Sequence, residues 1–255
     1  MNLYEAIFVR KTVRKFKTSL LEQSVMDGVM SFAKSLPMLF PDITVEYKVF
    51  NYSEAKKFFS RTPSIKSPHY LVLFSEKSTN YLINAGYLMQ QISLYLTSKG
   101  FGSCFMGAIK PKKSSLSGKD KGYVITLAFG EGEREVYRSN DKVKRLPLED
   151  VAVFKTEVNR NIKTIIQAGR LAPSSMNSQP WGFVVYDNRI HIFCKKNIFL
   201  SSVLSEIKLI DIGICLAHLL VAAEELWVDT KLVRLDNISN ISFKKNDYLL
   251  TLKMS

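Results

Sequence analysis

Two long apolar segments of the chain follow the same pattern. Residues 82–102 read LINAGYLMQQISLYLTSKGFG, and residues 209–229 read LIDIGICLAHLLVAAEELWVD. They align without a gap: both begin with Leu-Ile, and both place a glycine four residues after the first leucine, at Gly86 and Gly213. The apolar residues that follow recur at helical spacing. The pattern predicts two long, largely buried helices that belong to a repeated unit.

Short runs rich in strand-forming residues flank both helices in the same order. They are YLVLF (70–74) and YVITLA (123–128) around the first helix, and RIHIF (189–193) and YLLTL (248–252) around the second. Upstream of each set, an amphipathic helix runs into a proline and then into a strand. These stretches are residues 25–50, with Pro37, and residues 162–186, with Pro173. The order helix, strand, strand, helix, strand is therefore predicted twice.

This repeated order predicts an α+β fold of two similar halves, in which central helices pack on antiparallel or mixed sheets. The first half would cover residues 1–133 and the second residues 158–255, with residues 134–157 as the connecting segment. Any two buried helices share leucines, so chance similarity is the alternative explanation. The matching flanks in matching order disfavour it.

The charge of the chain raises the question of a nucleic-acid partner. The net charge is +13, and a basic surface is the electrostatic mark of phosphate binding. The basic clusters are short, however, at KPKK (110–113) and KVKR (142–145), and no aromatic residues are interleaved with them. Such clusters are typical of solvated surfaces. We therefore expect no nucleic-acid partner, and expect the basic surface to attract small anions.

Membrane insertion, secretion and metal binding are also disfavoured by the sequence. The longest apolar stretch, residues 209–228, contains Asp211, His218 and two glutamates, and is too polar for a membrane span. Residues 1–9 lack the basic start and apolar core of a secretory signal. The three cysteines show no CxxC spacing, so we expect buried free thiols, no metal site and a cytoplasmic location.

A basic segment near the N-terminus is the first candidate for binding chemistry. Residues 10–16 read RKTVRKF and follow the helix-like YEAIFV. In an extended segment, Arg10, Thr12 and Arg14 would project from one face. Two guanidiniums and a hydroxyl there could hold a phosphate or an electron-rich heterocycle through charge-assisted hydrogen bonds. The alternative is a basic loop that is merely solvated.

A polar loop in the second half is the second candidate. Residues 172–183 read APSSMNSQPWGF, in which a helix is predicted to end before Pro173 and a strand to follow Pro180. Its serine, asparagine and glutamine side chains offer hydrogen-bond donors and acceptors without charge, which suits the edge of a flat heterocycle. Trp181 and Phe183, at the start of the strand, are expected to belong to the core.

These segments together resemble the nitroreductase family of FMN proteins. RKTVRKF is similar to the family's N-terminal motif of a basic residue, serine or threonine, and a second basic residue. APSSMNSQPW closely matches its Pro-Ser-x-x-Asn-x-Gln-Pro-Trp loop. GFGSCFMGAI (100–109) resembles the glycine-rich segment after the central helix, and KRLPLEDV (144–151) resembles the arginine-leucine-proline run. The resemblance touches nearly the whole chain and implies a nitroreductase-like fold.

The resemblance also implies which residues hold FMN. Near its phosphate and ribityl chain they are Arg10, Thr12 and Arg145, with Lys11 in the same basic motif. Arg14 would lie beside the pyrimidine edge of the flavin ring. From the other half they are Pro173, Ser174, Ser175, Asn177 and Gln179, and the backbone N–H groups of Met106, Gly107 and Ala108 would face flavin N5 and O4. Family members often carry an acidic residue in that last segment, whereas this chain has Gly107.

One departure from the family pattern concerns the number of sites. Family subunits carry both the basic motif and the polar loop, and bind FMN between two subunits. Here the first half keeps the basic motif, but SLPMLFPD (35–42) stands where the loop belongs, and the second half has the loop without the basic motif. The resemblance therefore implies a fused pseudo-dimer with one FMN per chain, for which a monomer could suffice.

The implied activity is a two-step redox cycle. NAD(P)H would reduce the flavin, leave, and be replaced by a small-molecule electron acceptor such as a nitroaromatic or a quinone. The flavin carries the chemistry, so no protein residue is assigned as catalytic. No Ser-His-Asp arrangement is recognisable, and His218 is expected to be a hydrogen-bonded core residue. Deiodinase-like or flavin-consuming activity, and a flavin-binding protein without activity, remain alternatives.

Overall fold

A computed structural model describes residues 1–116, 120–139, 143–196, 202–239, 243 and 246–255, with Ser202 and Val203 described by their backbone only. The chain divides into two compact units, Met1–Lys142 and Val143–Ser255. This boundary falls within residues 134–157, and Lys142 of the KVKR cluster lies outside the described residues. Each unit contains helices and its own sheet, which confirms the predicted α+β class.

Unit 1 contains, among its described residues, four antiparallel strands and four α-helices. The helices are α1 (Leu3–Val9), α2 (Gln23–Ser35), α3 (Tyr52–Phe58) and α4 (Tyr81–Ser98). The strands are β1 (Val45–Asn51), β2 (His69–Ser75), β3 (Gly102–Phe105) and β4 (Gly122–Gly130), and a 3-10 helix covers Lys113–Leu116. The strand order is β1-β2-β4-β3, and every neighbouring pair is antiparallel.

Helix α4 is buried along almost its whole length, as its apolar pattern predicts. Every residue from Leu82 to Thr97 except Tyr95 is buried. The helix stops because Gly100 adopts a left-handed φ of 84°, and the Phe101 N–H then donates back to the Leu96 carbonyl at 2.9 Å. Glycine takes this conformation without steric cost. The chain therefore turns at Gly100 directly into β3.

Unit 2 contains a mixed sheet in its described residues. Its helices are α5 (Leu148–Val151), α6 (Arg160–Arg170) and α7 (Ser202–Glu225), with a 3-10 helix at Ser175–Asn177. Its strands are β5 (Ala152–Phe154), β6 (Trp181–Val185), β7 (Arg189–Lys195), β8 (Thr230–Val233) and β9 (Asn246–Met254). The strand order is β5-β6-β7-β9-β8, in which β5 runs parallel to β6 and the other pairs are antiparallel.

The second predicted long helix is α7, which packs closely on α6. Its residues Ile210 to Leu219 are buried. A Cβ atom added at Gly169 of α6 would lie 2.5 Å from Leu219 Cδ2, so glycine permits this close approach. No helix in the described part of the chain combines the length and apolarity that a bilayer span requires.

The two sheets repeat each other apart from β5. Strands β6, β7, β9 and β8 take the same order as β1, β2, β4 and β3, with the same antiparallel pairings. The register shifts between Leu73 and Phe74 of β2, and again between Ile192 and Phe193 of β7. The predicted order of helix, strand, strand, helix, strand occurs in both units, with α3 added between β1 and β2 and a short strand, β3 or β8, added before the last strand.

Side chains beside the bulges repeat as well. Phe74 contacts the edge of Tyr123, whose hydroxyl lies 3.1 Å from the Thr126 hydroxyl. In unit 2, Phe193 contacts Tyr248, whose hydroxyl lies 2.7 Å from the Thr251 hydroxyl. A shared Tyr-x-x-Thr pairing at matching positions is more specific than a shared run of leucines. It favours an internal duplication over chance similarity.

The histidines and cysteines occupy structural positions. His218 is fully buried, and its Nδ1 lies 2.9 Å from the Ala168 carbonyl oxygen, which confirms it as a hydrogen-bonded core residue. His69 Nε2 accepts a hydrogen bond from the Leu21 N–H, and His191 Nδ1 pairs with the Thr251 hydroxyl. All three cysteines are buried and unpaired, as predicted.

Candidate functional site

The basic segment 10–16 is extended and is fixed to the rest of unit 1 by backbone pairing. Helix α1 ends at Arg10, whose ψ of 132° turns the chain into an extended conformation. Isolated bridges then join Arg10 to Tyr137, Thr12 to Ser103 and Phe16 to Gly132. The Thr12 bridge brings the segment beside β3, which forms the first part of the glycine-rich segment 100–109. Two motifs some ninety residues apart in sequence thus meet in unit 1.

Burial along the segment recurs at every third residue, at Arg10, Val13 and Phe16, and not at every second residue. Val13 and Phe16 are buried in the hydrophobic core, whereas Arg14 is exposed and Lys11 and Thr12 are partly exposed. Arg10 is only 5% exposed, so it does not share an exposed face with Thr12 and Arg14 as the sequence predicts.

The charges of Arg14 and Arg10 both act on the Cys104 thiol. Burial raises the pKa of the Cys104 thiol on β3, and the charges of Arg14 and Arg10 partly offset that effect. Both guanidiniums therefore act electrostatically on β3, within the glycine-rich segment.

The glycine segment presents exposed backbone at two of its three predicted positions. Gly107 and Ala108 are exposed, and a Cβ atom at Gly107 would have no neighbour within 4 Å. Their N–H groups have no hydrogen-bond partner in the part of the chain that the structure describes. The Met106 N–H, in contrast, donates to the Thr126 carbonyl at 2.9 Å. The donors available to a ligand are therefore those of Gly107 and Ala108.

The polar loop of unit 2 has an unusual backbone. Met176, Asn177 and Gln179 all have left-handed φ values, of 51°, 55° and 46°. Asparagine tolerates this region, but a left-handed Met or Gln costs of order 1–3 kcal/mol and persists only when its surroundings impose it. Met176 is 93% exposed, so packing of its own side chain does not impose the conformation. The hydrogen bonds of its neighbours do.

Gln179 ties the two ends of the loop together. Its buried side chain accepts from the Leu146 N–H at 2.8 Å and donates to the Asn177 carbonyl at 3.2 Å. Its own N–H donates to the Ser174 hydroxyl at 2.9 Å. Trp181 and Phe183, which follow the loop, are fully buried in the core, as predicted.

Arg145 lies in unit 2 and braces the same loop. Its guanidinium donates to Asn177 Oδ1 at 2.9 Å and to the Leu171 carbonyl at 3.1 Å, and Asn177 Nδ2 donates to the Lys144 carbonyl. The sequence places Arg145, in the arginine-leucine-proline run, within the predicted connecting segment 134–157. In the structure that run belongs to unit 2, because it leads into β5 of the second sheet.

Arg145 and Arg170 form a cationic pair without a carboxylate partner in the described residues. Arg170 donates to Gln167 Oε1 and to the Leu146 carbonyl, both of which are neutral. Burial, together with the Arg170 charge, lowers the pKa of Arg145. Arg145 Nε is buried and has no partner among the described residues. Uncompensated cations and an orphaned donor both favour an anionic or electron-rich ligand.

Asp211 of α7 is a site residue that the sequence reading missed. It is 3% exposed, and both of its carboxylate oxygens accept from the Ser175 N–H, at 3.0 and 3.1 Å. Burial raises its pKa to about 7, and the Ser175 hydrogen bond and the Lys208 charge limit that rise. The available signal was a carboxylate in the middle of an apolar helix, which is costly to bury without a function.

Comparisons with known proteins agree with this architecture. A family model described as "Putative TM nitroreductase" matches residues 2–223. A putative nitroreductase from Thermotoga maritima is similar over 100% of this chain and 94% of its own, with 22% identity and a TM-score of 0.69. A nitroreductase family protein from Clostridium difficile matches 62% of this chain over 100% of its own, with 16% identity and a TM-score of 0.50. Curated proteins give no match.

Proposed function

Because this chain belongs to the nitroreductase family whose model spans residues 2–223, we propose that it is an FMN-dependent oxidoreductase that passes electrons from NAD(P)H to a small acceptor such as a nitroaromatic or a quinone. The observation that carries the proposal is the complementary chemistry of the two units. Unit 1 offers a fixed basic segment beside exposed backbone donors, and unit 2 offers a constrained, uncharged loop backed by arginines. We propose that one FMN takes contacts from both sets.

The residues of unit 1 fit the anionic and electron-accepting parts of FMN. Arg14 is exposed and forms no ion pair among the described residues, so its guanidinium is available to a ligand. Thr12 adds a hydroxyl on the same segment, with Lys11 and Arg10 as further cations. The N–H groups of Gly107 and Ala108 suit acceptor atoms on a ring edge. Cationic and N–H donors favour a group that gains negative charge on reduction.

The residues of unit 2 fit the polar edge and the sugar-like chain. The Ser175 hydroxyl and the exposed side of Asn177 offer uncharged hydrogen bonds, and Pro173 and Ser174 begin the loop. Arg145 would contribute its orphaned Nε and its positive charge. Gln179 would act indirectly, since its side chain is engaged within the loop.

When bound, FMN would supply reversible two-electron chemistry, and the protein would supply binding, orientation and electrostatics. Arg14 and the Gly107 and Ala108 N–H groups would stabilise the charge of the reduced state. The hydrogen-bonded loop would keep its donors in place without reorganisation during turnover. We propose a functional monomer, since both donor sets are on one chain. We also propose a cytoplasmic location, since the three cysteines are buried free thiols.

The spectrum of the purified protein tests the proposal directly. We expect flavin absorbance at one FMN per chain, and bleaching when NADH or NADPH is added without oxygen. A nitroaromatic or quinone should then restore the oxidised spectrum. A protein that binds no FMN after reconstitution would overturn the proposal. Bound flavin that neither nicotinamide reduces would indicate a binding protein without this activity.

Replacing Arg14 with alanine should weaken FMN binding about ten- to a hundredfold, since a charged hydrogen bond contributes ~1.5–3 kcal/mol. It should also lower the reduction potential of bound FMN by about 30 mV, which for two electrons corresponds to ~1.4 kcal/mol. Fluorescence titration and redox-dye equilibration would measure the two effects. Lys15→Ala, which removes an exposed neighbouring charge, is the matched control and should leave the potential unchanged. Equal effects of both variants would contradict a specific contact.

A further inference from the structure

The two units hold the loops after their first amphipathic helices, α2 and α6, with side chains at matching positions. In the repeated helices, Asn84 of α4 and Asp211 of α7 are both the third residue of the aligned segments. Asn84 Oδ1 accepts from the Leu39 N–H at 2.8 Å and from the Phe40 N–H at 3.4 Å. Asp211 accepts from the Ser175 N–H. Each side chain is thus a helix-borne acceptor for backbone donors of a loop.

The two helix-borne acceptors, Asn84 and Asp211, differ in charge although each accepts hydrogen bonds from the backbone of a loop. Asn84, which holds the SLPMLFPD segment, is a neutral amide and is fully buried. Asp211, which holds the polar loop, is an acid and is 3% exposed. Burying an ionised carboxylate is costly, and the chain itself shows that an amide can anchor a loop from this position. The acidic side chain, Asp211, occurs only in unit 2, whose loop has the uncharged polar composition proposed to bind FMN.

We propose that Asp211 is a positioning residue that holds residues 174–179 in the flavin-binding conformation, and that its protonation controls how firmly the loop is docked. The proposal rests on the proposed function in that it assigns this loop to FMN. The Ser175 N–H is the donor immediately before the left-handed Met176 and Asn177, so its hydrogen bond fixes the start of the constrained stretch. Without that acceptor, the strained backbone would relax.

The charged and titratable groups around Asp211 leave it as the group that changes state near neutrality. On α7 they are Lys208, whose charge favours the carboxylate, and Cys215. On β7, the Asp211 charge acts on Cys194. Burial raises the pKa of the Cys194 thiol to about 11 and holds the pKa of the Cys215 thiol well above its usual value. From α6, the Arg170 guanidinium is directed to Gln167 and to the Leu146 carbonyl.

The direction of the pH effect follows from linkage. Asp211 has a pKa of about 7 with the loop docked, and its ordinary value is 3.8. The proposal holds that undocking exposes the carboxyl to water. This removes the desolvation that is the largest cause of the raised pKa, and it outweighs the loss of the Ser175 hydrogen bond, which favours the ionised form. The docked state therefore binds the proton more tightly. Docking is therefore strongest at low pH, weakens as the pH rises toward 7, and becomes independent of pH above about 7. The docking constant falls at most tenfold per pH unit in that window.

Hydrogen exchange of the FMN-free chain tests this inference apart from the proposed function. Protection of the peptide backbone over residues 172–181, corrected for intrinsic exchange, should fall about twenty-fivefold between pH 5.5 and 7.5 and then level off. Asp211→Asn introduces the amide that unit 1 has at the matching position, Asn84. This variant should keep the protection of residues 172–181 but lose the pH dependence of that protection. Asp211→Ala should lose protection at every pH and weaken FMN binding at least tenfold. Asn84→Ala should leave protection of residues 172–181 unchanged.

The outcomes separate the two proposals. Retained protection in Asp211→Ala, or the wild-type pH profile in Asp211→Asn, would overturn the positioning role even if the wild-type chain binds FMN. Failure of the wild-type chain to bind FMN would overturn the proposed function, and the exchange profiles would still decide the role of Asp211. Global unfolding of Asp211→Ala would appear as lost protection in β6 and β7, in which case Asp211→Asn alone decides.

Discussion

A double variant, Arg14→Ala with Asn177→Ala, is expected to lower FMN affinity about a hundred- to a thousandfold. Arg14 belongs to the basic segment of unit 1, and Asn177 to the loop of unit 2, where it also holds Arg145. If one FMN uses both donor sets, the two losses act on the same ligand and their free energies add, at ~1.5–3 kcal/mol for the charged contact of Arg14 and ~1–1.5 kcal/mol for the uncharged contact of Asn177. FMN titration measures the loss of affinity. The flavin-to-protein ratio of the wild-type chain, expected to be one, measures the number of sites.

The matched control for this double variant is Lys15→Ala with Ser178→Ala. Both residues are exposed neighbours of the changed positions, and neither is assigned to FMN. We expect the control to bind FMN within about threefold of the wild-type chain, as surface substitutions usually have small effects. Two FMN per chain, or an unchanged affinity in the Arg14/Asn177 variant, would show that the assignment of the two donor sets to one ligand is wrong.

Replacing Gly102 with alanine should lower the free energy of unfolding of unit 1 by about 1–3 kcal/mol and displace the basic segment. A Cβ atom at Gly102 would lie 2.6 Å from Val13 Cγ2 and 2.7 Å from Val13 Cβ. Val13 cannot move away easily, because its N–H donates to the Ser103 carbonyl at 3.0 Å and its side chain is branched at Cβ. FMN affinity should therefore fall together with stability. Urea unfolding followed by circular dichroism measures the loss.

Two further variants show whether the contact with Val13 is the cause. Gly122→Ala, on β4 of the same sheet, places its Cβ atom 3.6 Å from Lys77 Cε, an ordinary contact, and should have little effect. Adding Val13→Ala to Gly102→Ala should restore part of the lost FMN affinity, because it removes the obstructing methyl groups. No difference between Gly102→Ala and Gly122→Ala would refute the packing argument.

The sequence predicts those features of the fold that depend on long periodic segments. Helices α4 and α7 carry apolar residues at helical spacing over many turns, and the strands beside them contain runs of five or six suitable residues. Strands β3 and β8 have only four residues each and show no such pattern. Helix α3 is also short, but Asn51 and Glu54 form a capping box at its start, a local signal that could have revealed it.

The candidate site is predicted less completely, because its hydrogen bonds join residues distant in the chain. The polar loop is recognisable as a loop from Pro173 and Pro180, yet the left-handed conformation of Met176 has no local signal. The partners of Asp211 and Arg145 lie 36 and 32 residues away, at Ser175 and Asn177. Periodicity relates only residues a few positions apart, so such partners emerge only once the chain is folded.

Strand β5 determines where this chain could be divided into two separately expressed polypeptides. It precedes α6 in sequence but pairs with β6, through Ala152 with Phe183 and Phe154 with Val185. A break after residue 142 separates none of the strand pairs that the structure describes. A break after residue 157 would assign β5 to the wrong fragment and leave β6 as an unprotected sheet edge, which invites aggregation. Fragment complementation should therefore succeed only with the earlier break.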